Sequence, residues 1–144
     1  MIREDIYREV WDSLAACFNS IVSVLKKEFP GLQVQMGGYK NASFPFIAYL
    51  SMLVEQDPSR NEDCDLSMDI GERGDHLLLT SDIGNGKGDF VAVGPSFEIP
   101  DSEPEVTQIA RLRAGVMEIE TFFTDSLNEI KLALIIARED HERV

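Results

Sequence analysis

Fourteen of the chain's 26 acidic residues lie between positions 55 and 105, where Arg60, Arg73 and Lys87 are the only bases, so this stretch carries a net charge of −11. Carboxylates gathered in this way can chelate a cation, exchange protons with a substrate, or attract a basic partner. Calcium chelation asks for an Asp-x-Asp-x-Asp-Gly loop closed by a distal glutamate. The run from Asp57 to Asp69 does not supply one, and no metal is expected. Acid–base pairs can be drawn anywhere in so acidic a sequence and therefore discriminate nothing. Two readings remain: a solvated face that aids solubility and protects sheet edges, or a docking surface whose negative charge speeds encounter with a positive partner and makes it salt-sensitive. Asp63, Asp65, Asp69, Glu72, Asp75 and Asp89 are the candidate partner-binding residues.

Other chemistries find less support. His76 opens a strand beside an acidic hairpin, and His141 is expected in a fraying C-terminal tail. Two isolated histidines do not meet the ligand spacing of a structural zinc site, and no Gly-x-Ser-x-Gly elbow or comparable nucleophile accompanies them. The glycine-rich run Gly84-Asn85-Gly86-Lys87-Gly88-Asp89 leads into a strand, whereas a phosphate cradle needs a helix N-terminus or a Lys-Ser/Thr pair. Asp89 also brings the wrong charge, so the run reads as a hairpin turn. No catalytic residue and no cofactor are assigned, and the protein is expected not to be an enzyme.

The elements that must hold the carboxylates follow from periodicity. Ile6, Val10, Leu14, Phe18, Ile21, Leu25 and Phe29 recur at spacings of three and four, predicting a helix over 3–28 that Pro30-Gly31 stops. Leu32–Met36 alternates as a strand, and Phe44–Val54 is a second, apolar on both faces, with Pro45 at its start or at a bulge. In Cys64–Ile70 the alternation is complete: Asp65, Ser67 and Asp69 share one face, Cys64, Leu66, Met68 and Ile70 the other. Gly71–Asp75 is a hairpin connection, His76–Ile83 a fourth strand, and Phe90–Ile99 a fifth, interrupted at Gly94-Pro95.

The C-terminal third is helical in period from Glu105 to Glu139, with Ser102 as N-cap and Glu105 closing a capping box. One straight helix of that length would be a rod of ~50 Å, in a domain only ~37 Å across by size scaling. It must protrude or break, and Thr124-Asp125-Ser126 with Glu129 offers a second capping box for a break. Strands joined by short turns argue for an α+β fold: an N-terminal helix, a four- to five-stranded antiparallel meander, and a long or split C-terminal helix packed with the first on one sheet face. The expectation is one domain spanning 1–144. The second face of strand two, with Ile47, Tyr49 and Leu53, would then want cover, either from a dimer partner or bound polypeptide or from a helix or curled loop of the chain itself.

A 44% hydrophobic share excludes wholesale disorder, and the charge opposes binding to phosphate backbones, so no nucleic acid is expected. No apolar run approaches the ~20 residues of a membrane span. The N-terminal Met1-Ile2-Arg3-Glu4-Asp5-Ile6 lacks a signal-peptide core, so the chain is expected to be cytoplasmic. Cys17 and Cys64 match no metal or redox spacing and read as small buried hydrophobes. In size, charge and element type the chain is similar to two groups of small acidic bacterial proteins. One is the immunity proteins, which occlude toxins, often basic nucleases; the other is the type III secretion chaperones, acidic dimers that hold an unfolded polypeptide. Those chaperones insert a helix between strands three and four, where this sequence has only Gly71–Asp75. The reading is a non-enzymatic acidic binding protein of immunity or inhibitor type with a basic protein partner. The alternatives are a chaperone-like homodimer, or a small enzyme or ligand-binding protein whose site the sequence does not reveal.

Overall fold

A computed structural model describes residues 4–38, 46–55 and 62–142. Helix α1 (Glu4–Glu28) leads into strands β1 (Gln33–Gly38), β2 (Phe46–Leu53), β3 (Cys64–Arg73), β4 (His76–Asn85), β5 (Phe90–Val93) and β6 (Phe97–Pro100), followed by helices α2 (Glu105–Asp125) and α3 (Leu127–Glu142). The strands form one antiparallel meander, β1-β2-β3-β4, whose last edge is shared by β5 and β6. The fifth predicted strand is thus two short ones: β5 pairs with the C-terminal half of β4 and β6 with its N-terminal half. Pro45 lies outside the described residues.

The fold follows from a single decision made in every strand. Alternate residues of β2, β3 and β4 point to the helices: Phe46, Ala48, Leu50 and Met52; Cys64, Leu66, Met68 and Ile70; Leu77, Leu79, Ser81 and Ile83 are all buried there. Leu14, Phe18 and Leu25 of α1, Leu112, Ile119 and Phe123 of α2, and Ile130 and Leu134 of α3 complete the same hydrophobic cluster. All three helices therefore lie on one face of the sheet, as the sequence predicts. Polar contacts stitch them at the surface: Arg113 of α2 donates twice to the Glu9 carboxylate of α1, at 2.7 and 2.9 Å. Lys131 of α3 reaches Glu28 of α1 at 3.1 Å, and the Arg138 guanidinium lies 4.9 Å over the Phe29 ring.

Two expectations about the C-terminal third are corrected or resolved. The capping residue of α2 is Pro104, not Ser102: the Pro104 carbonyl accepts from Thr107 and Gln108, and no side chain caps the helix. The buried Gln108 amide instead turns back to donate to the carbonyls of Asp101 and Glu103, which fixes the entry loop from inside. The break does fall at Ser126, where the chain leaves α2 and re-enters helix one residue later. Breaking there lets Ile130, Leu134 and Ala137 return to the sheet instead of running past it.

Cys64 is fully buried and Cys17 half-buried, both as free thiols. Burial pushes the Cys64 thiol up to about 12. Among the described residues, no helix is long and apolar enough to cross a membrane.

Candidate functional site

The face of the sheet turned away from the helices is built from the other half of the alternation. Tyr49 on β2, Ser67 on β3, Asp82 on β4 and Val93 on β5 form one row across it. On either side of that row, Asp65 stands opposite Ser51 and Gly84, and Asp69 opposite Ile47 and Thr80. Asp82 is thus diagonal to both Asp65 and Asp69, a relation that separates side chains by about 7–8 Å. The three carboxylates make a triangle around Ser67, whose hydroxyl donates to Asp65 Oδ2 at 3.2 Å. Glu62 reaches over the same face to accept from Ser51 at 3.0 Å.

These carboxylates are only half-exposed, and that sets their electrostatics. Partial burial holds the Asp65, Asp69 and Asp82 carboxyls above the usual carboxylate range. The Asp82 charge raises Asp65 further, against the lowering effect of the Ser67 hydrogen bond, and the Asp69 charge raises Asp82. No lysine or arginine among the described residues pairs with any of the three. The rim is apolar, with Ile47 at 42% exposure and Val93 at 71%. Beside Asp69 a hollow of about 240 Å³ is lined by Ile47, Gly71, Arg73, Leu78 and Thr80. Among the described residues no three His, Cys, Asp or Glu side chains converge as metal ligands.

The structure brings only part of the sequence-predicted set together. Asp65 and Asp69 sit at the centre of the open face. Asp89 is exposed in the turn after β4, its carbonyl beside Gly84 at the Asp65 end. Asp75 is exposed at the tip of the β3–β4 hairpin, where a hydrogen bond with His76 Nδ1 at 3.2 Å holds its carboxyl low. Glu72 belongs to the other side, because its register partner is the buried Leu77. Its charge acts on Tyr7 of α1, adding to the burial that raises that phenol. Asp63 is 2% exposed, and its Oδ2 accepts from the Val54 amide at 2.9 Å. Asp82, absent from the predicted set, completes the triangle. Alternation along β4 together with the hairpin register could have found it.

A second feature lies at the end of the sheet, under α3. The expectation that His141 frays is corrected: it lies within α3, its side chain 8% exposed, with Nε2 3.5 Å from Asp63 Oδ2. Ala137 one turn earlier packs into the core and carries the last turn of α3 down onto the β3 entry. A cleft of about 260 Å³ opens beside this pair, between α3 and the β4–β5 turn. Lys87, from that turn, bridges to Asp140 at 3.0 Å. Nothing in the local sequence around Asp63 or His141 points to their meeting, because the contact depends on the helix break 15 residues before His141.

Comparison of the chain with protein-family models, with curated proteins and with solved structures finds no match.

Proposed function

We propose that the protein is a non-enzymatic binding protein that captures a basic protein partner on the uncovered face of its sheet, as an immunity or inhibitor protein does. The observation that carries this reading is the triangle Asp65, Asp69 and Asp82: three half-buried carboxylates, all raised by burial, Asp65 also by the Asp82 charge and Asp82 by the Asp69 charge, with no lysine or arginine among the described residues paired to them. Charges held so are poorly solvated in the free protein, and a positive partner relieves them. The apolar rim of Ile47, Tyr49, Leu78 and Val93 suits the slower step, in which contact area sets dissociation. The hollow beside Asp69 fits the aliphatic stem of a lysine or arginine whose charge reaches the carboxylate.

The chaperone-like alternative loses support from the β3–β4 connection, where strands end and begin at Arg73 and His76 with no helix between them.

Amide chemical-shift mapping with a hexalysine peptide tests the proposal. The expected shifts centre on residues 65–69 and 80–82, vanish at high salt, and are lost in Asp65→Lys/Asp69→Lys. Shifts confined to the helices, or equal shifts in the charge-reversed variant, would overturn it.

A further inference from the structure

The two edges of the sheet are built differently. The far edge is split into β5 and β6, four residues each, with Gly94-Pro95 between them, a register shift at Ile83/Gly84, and Glu98 and Pro100 in β6. Short strands, bulges, prolines and charges keep an edge from pairing with another chain. β1 has none of them. Its six residues run in unbroken register against β2, from Gln33 opposite Leu53 to Gly38 opposite Ala48, and include no proline and no charge. Among the described residues, no strand lies beyond it. Val34 and Met36 share a sheet face with their buried register partners Met52 and Leu50, yet are 37% and 36% exposed. Their outer flank lacks the neighbour that a further strand provides.

Charge selects what that strand is. Residues 1–54 hold five acidic and five basic side chains, net zero, and β1 and β2 hold none, whereas residues 55–105 carry −11. A basic partner finds no attraction at this edge and is drawn to the other half of the sheet. A second copy is repelled wherever acidic surface meets acidic surface, and here it approaches without that opposition.

We infer that the chain forms a two-fold dimer in which β1 pairs antiparallel with β1 of a second copy, joining both sheets into one. The two faces stay continuous only when the paired residue numbers sum to an even number, because a one-residue slip turns every side chain over. Gln35 opposite Gln35 meets that condition and engages residues 33–37 on both sides. Val34 then faces the second copy's Met36, and the two Gln35 amides, each both donor and acceptor, complement one another across the axis. The two β3 strands end up five strand spacings apart, about 24 Å. Salt screens charges beyond ~8 Å, so the two acidic triangles do not oppose the pairing.

Sedimentation equilibrium of the full chain, from micromolar to submillimolar concentration, tests this. The wild type is expected to move toward twice the chain mass, and amide exchange at residues 33–37 to slow as the dimer fills. Two variants change the same pair of side chains and differ only in sign. Val34→Lys/Met36→Lys sets lysine against lysine across the seam and should weaken the dimer at least about tenfold. Val34→Lys/Met36→Glu sets lysine against glutamate twice and should dimerise within severalfold of the wild type. A wild type monomeric throughout would give the edge to a partner of other sequence and overturn the inference. So would a dimer that the lysine pair leaves intact, or equal losses in the two variants. Added salt separates this inference from the sheet-face proposal: dimerisation should hold or tighten as repulsion between the acidic halves is screened, whereas hexalysine binding is lost. The two readings therefore fail separately.

Discussion

Strands β3 and β4 present two surfaces made from neighbouring residues of the same segments, and the surfaces could hardly differ more. On the helix side Leu66, Met68, Ile70, Leu79 and Ile83 are completely buried. On the open side Asp65, Ser67, Asp69, Thr80 and Asp82 are half-exposed and polar. The covered face decides whether the chain folds, while the open face is free to carry charge that folding does not need. On that open face three carboxylates are kept close and partly dry, which holds them above the usual carboxylate range.

Substitutions on the covered side should produce the largest effects. Leu66→Ala leaves a cavity in a fully buried site and is expected to cost about 3 kcal/mol, read as a lowered urea midpoint. Its open-face neighbour Ser67→Ala should change stability by less than ~0.5 kcal/mol. Comparable losses at the two positions would break the contrast between the faces.

Gly86→Ala comes next. A Cβ there would meet the Glu62 carbonyl oxygen at 2.0 Å, and a backbone atom cannot swing away. A loss of about 1–3 kcal/mol is expected from such overpacking. An unchanged midpoint would mean that the turn beside the cleft is not held against the β3 entry. Gly74, at φ +65° in the hairpin tip, should cost about 1 kcal/mol on replacement by alanine, without affecting hexalysine binding. Loss of that binding in Gly74→Ala would extend the docking surface to the tip and blur the distinction between the open face and its rim.

Asp75 and the central trio should respond to acid in opposite directions. Asp75 has a lowered folded pKa, so its favourable contribution holds above the ordinary carboxylate pKa and is lost as pH falls through the folded value. Asp65, Asp69 and Asp82 have raised folded values, so their ionisation opposes folding at neutral pH. That penalty fades as pH drops from the folded value to the ordinary one. Asp75→Asn should therefore lower the midpoint slightly at pH 7, as read in urea titrations, and a rise would contradict the assignment.

Much of this architecture was legible in the sequence because it rests on local period. The alternation of Cys64 to Ile70 placed Asp65 and Asp69 opposite the core, and the length of the C-terminal helical pattern left it either to protrude or to break, the second being what happens at Ser126. What stayed hidden depends on register or on distant contacts. Glu72 has the covered-side parity of Ile70, so its acidity alone was a poor guide to the face it serves. Asp63 precedes the strand, and its burial comes from the Val54 amide and from α3, neither of which is visible nearby in sequence. Ser102 followed by Glu105 fits a capping box, but Gln108 supplies the loop's internal hydrogen bonds and Pro104 starts the helix. The rule failed where a buried side chain from the following turn took over the task.

The central claim is that the open-face trio is held at a cost to the free protein. It is tested most directly by the urea midpoints of the wild type and of Asp65→Asn/Asp69→Asn/Asp82→Asn across pH 7 to 4. The account predicts that the variant is the more stable at pH 7 and that the gap closes as the wild-type carboxylates take up protons. A variant equal to or less stable than the wild type at pH 7, or a gap that ignores pH, would contradict it.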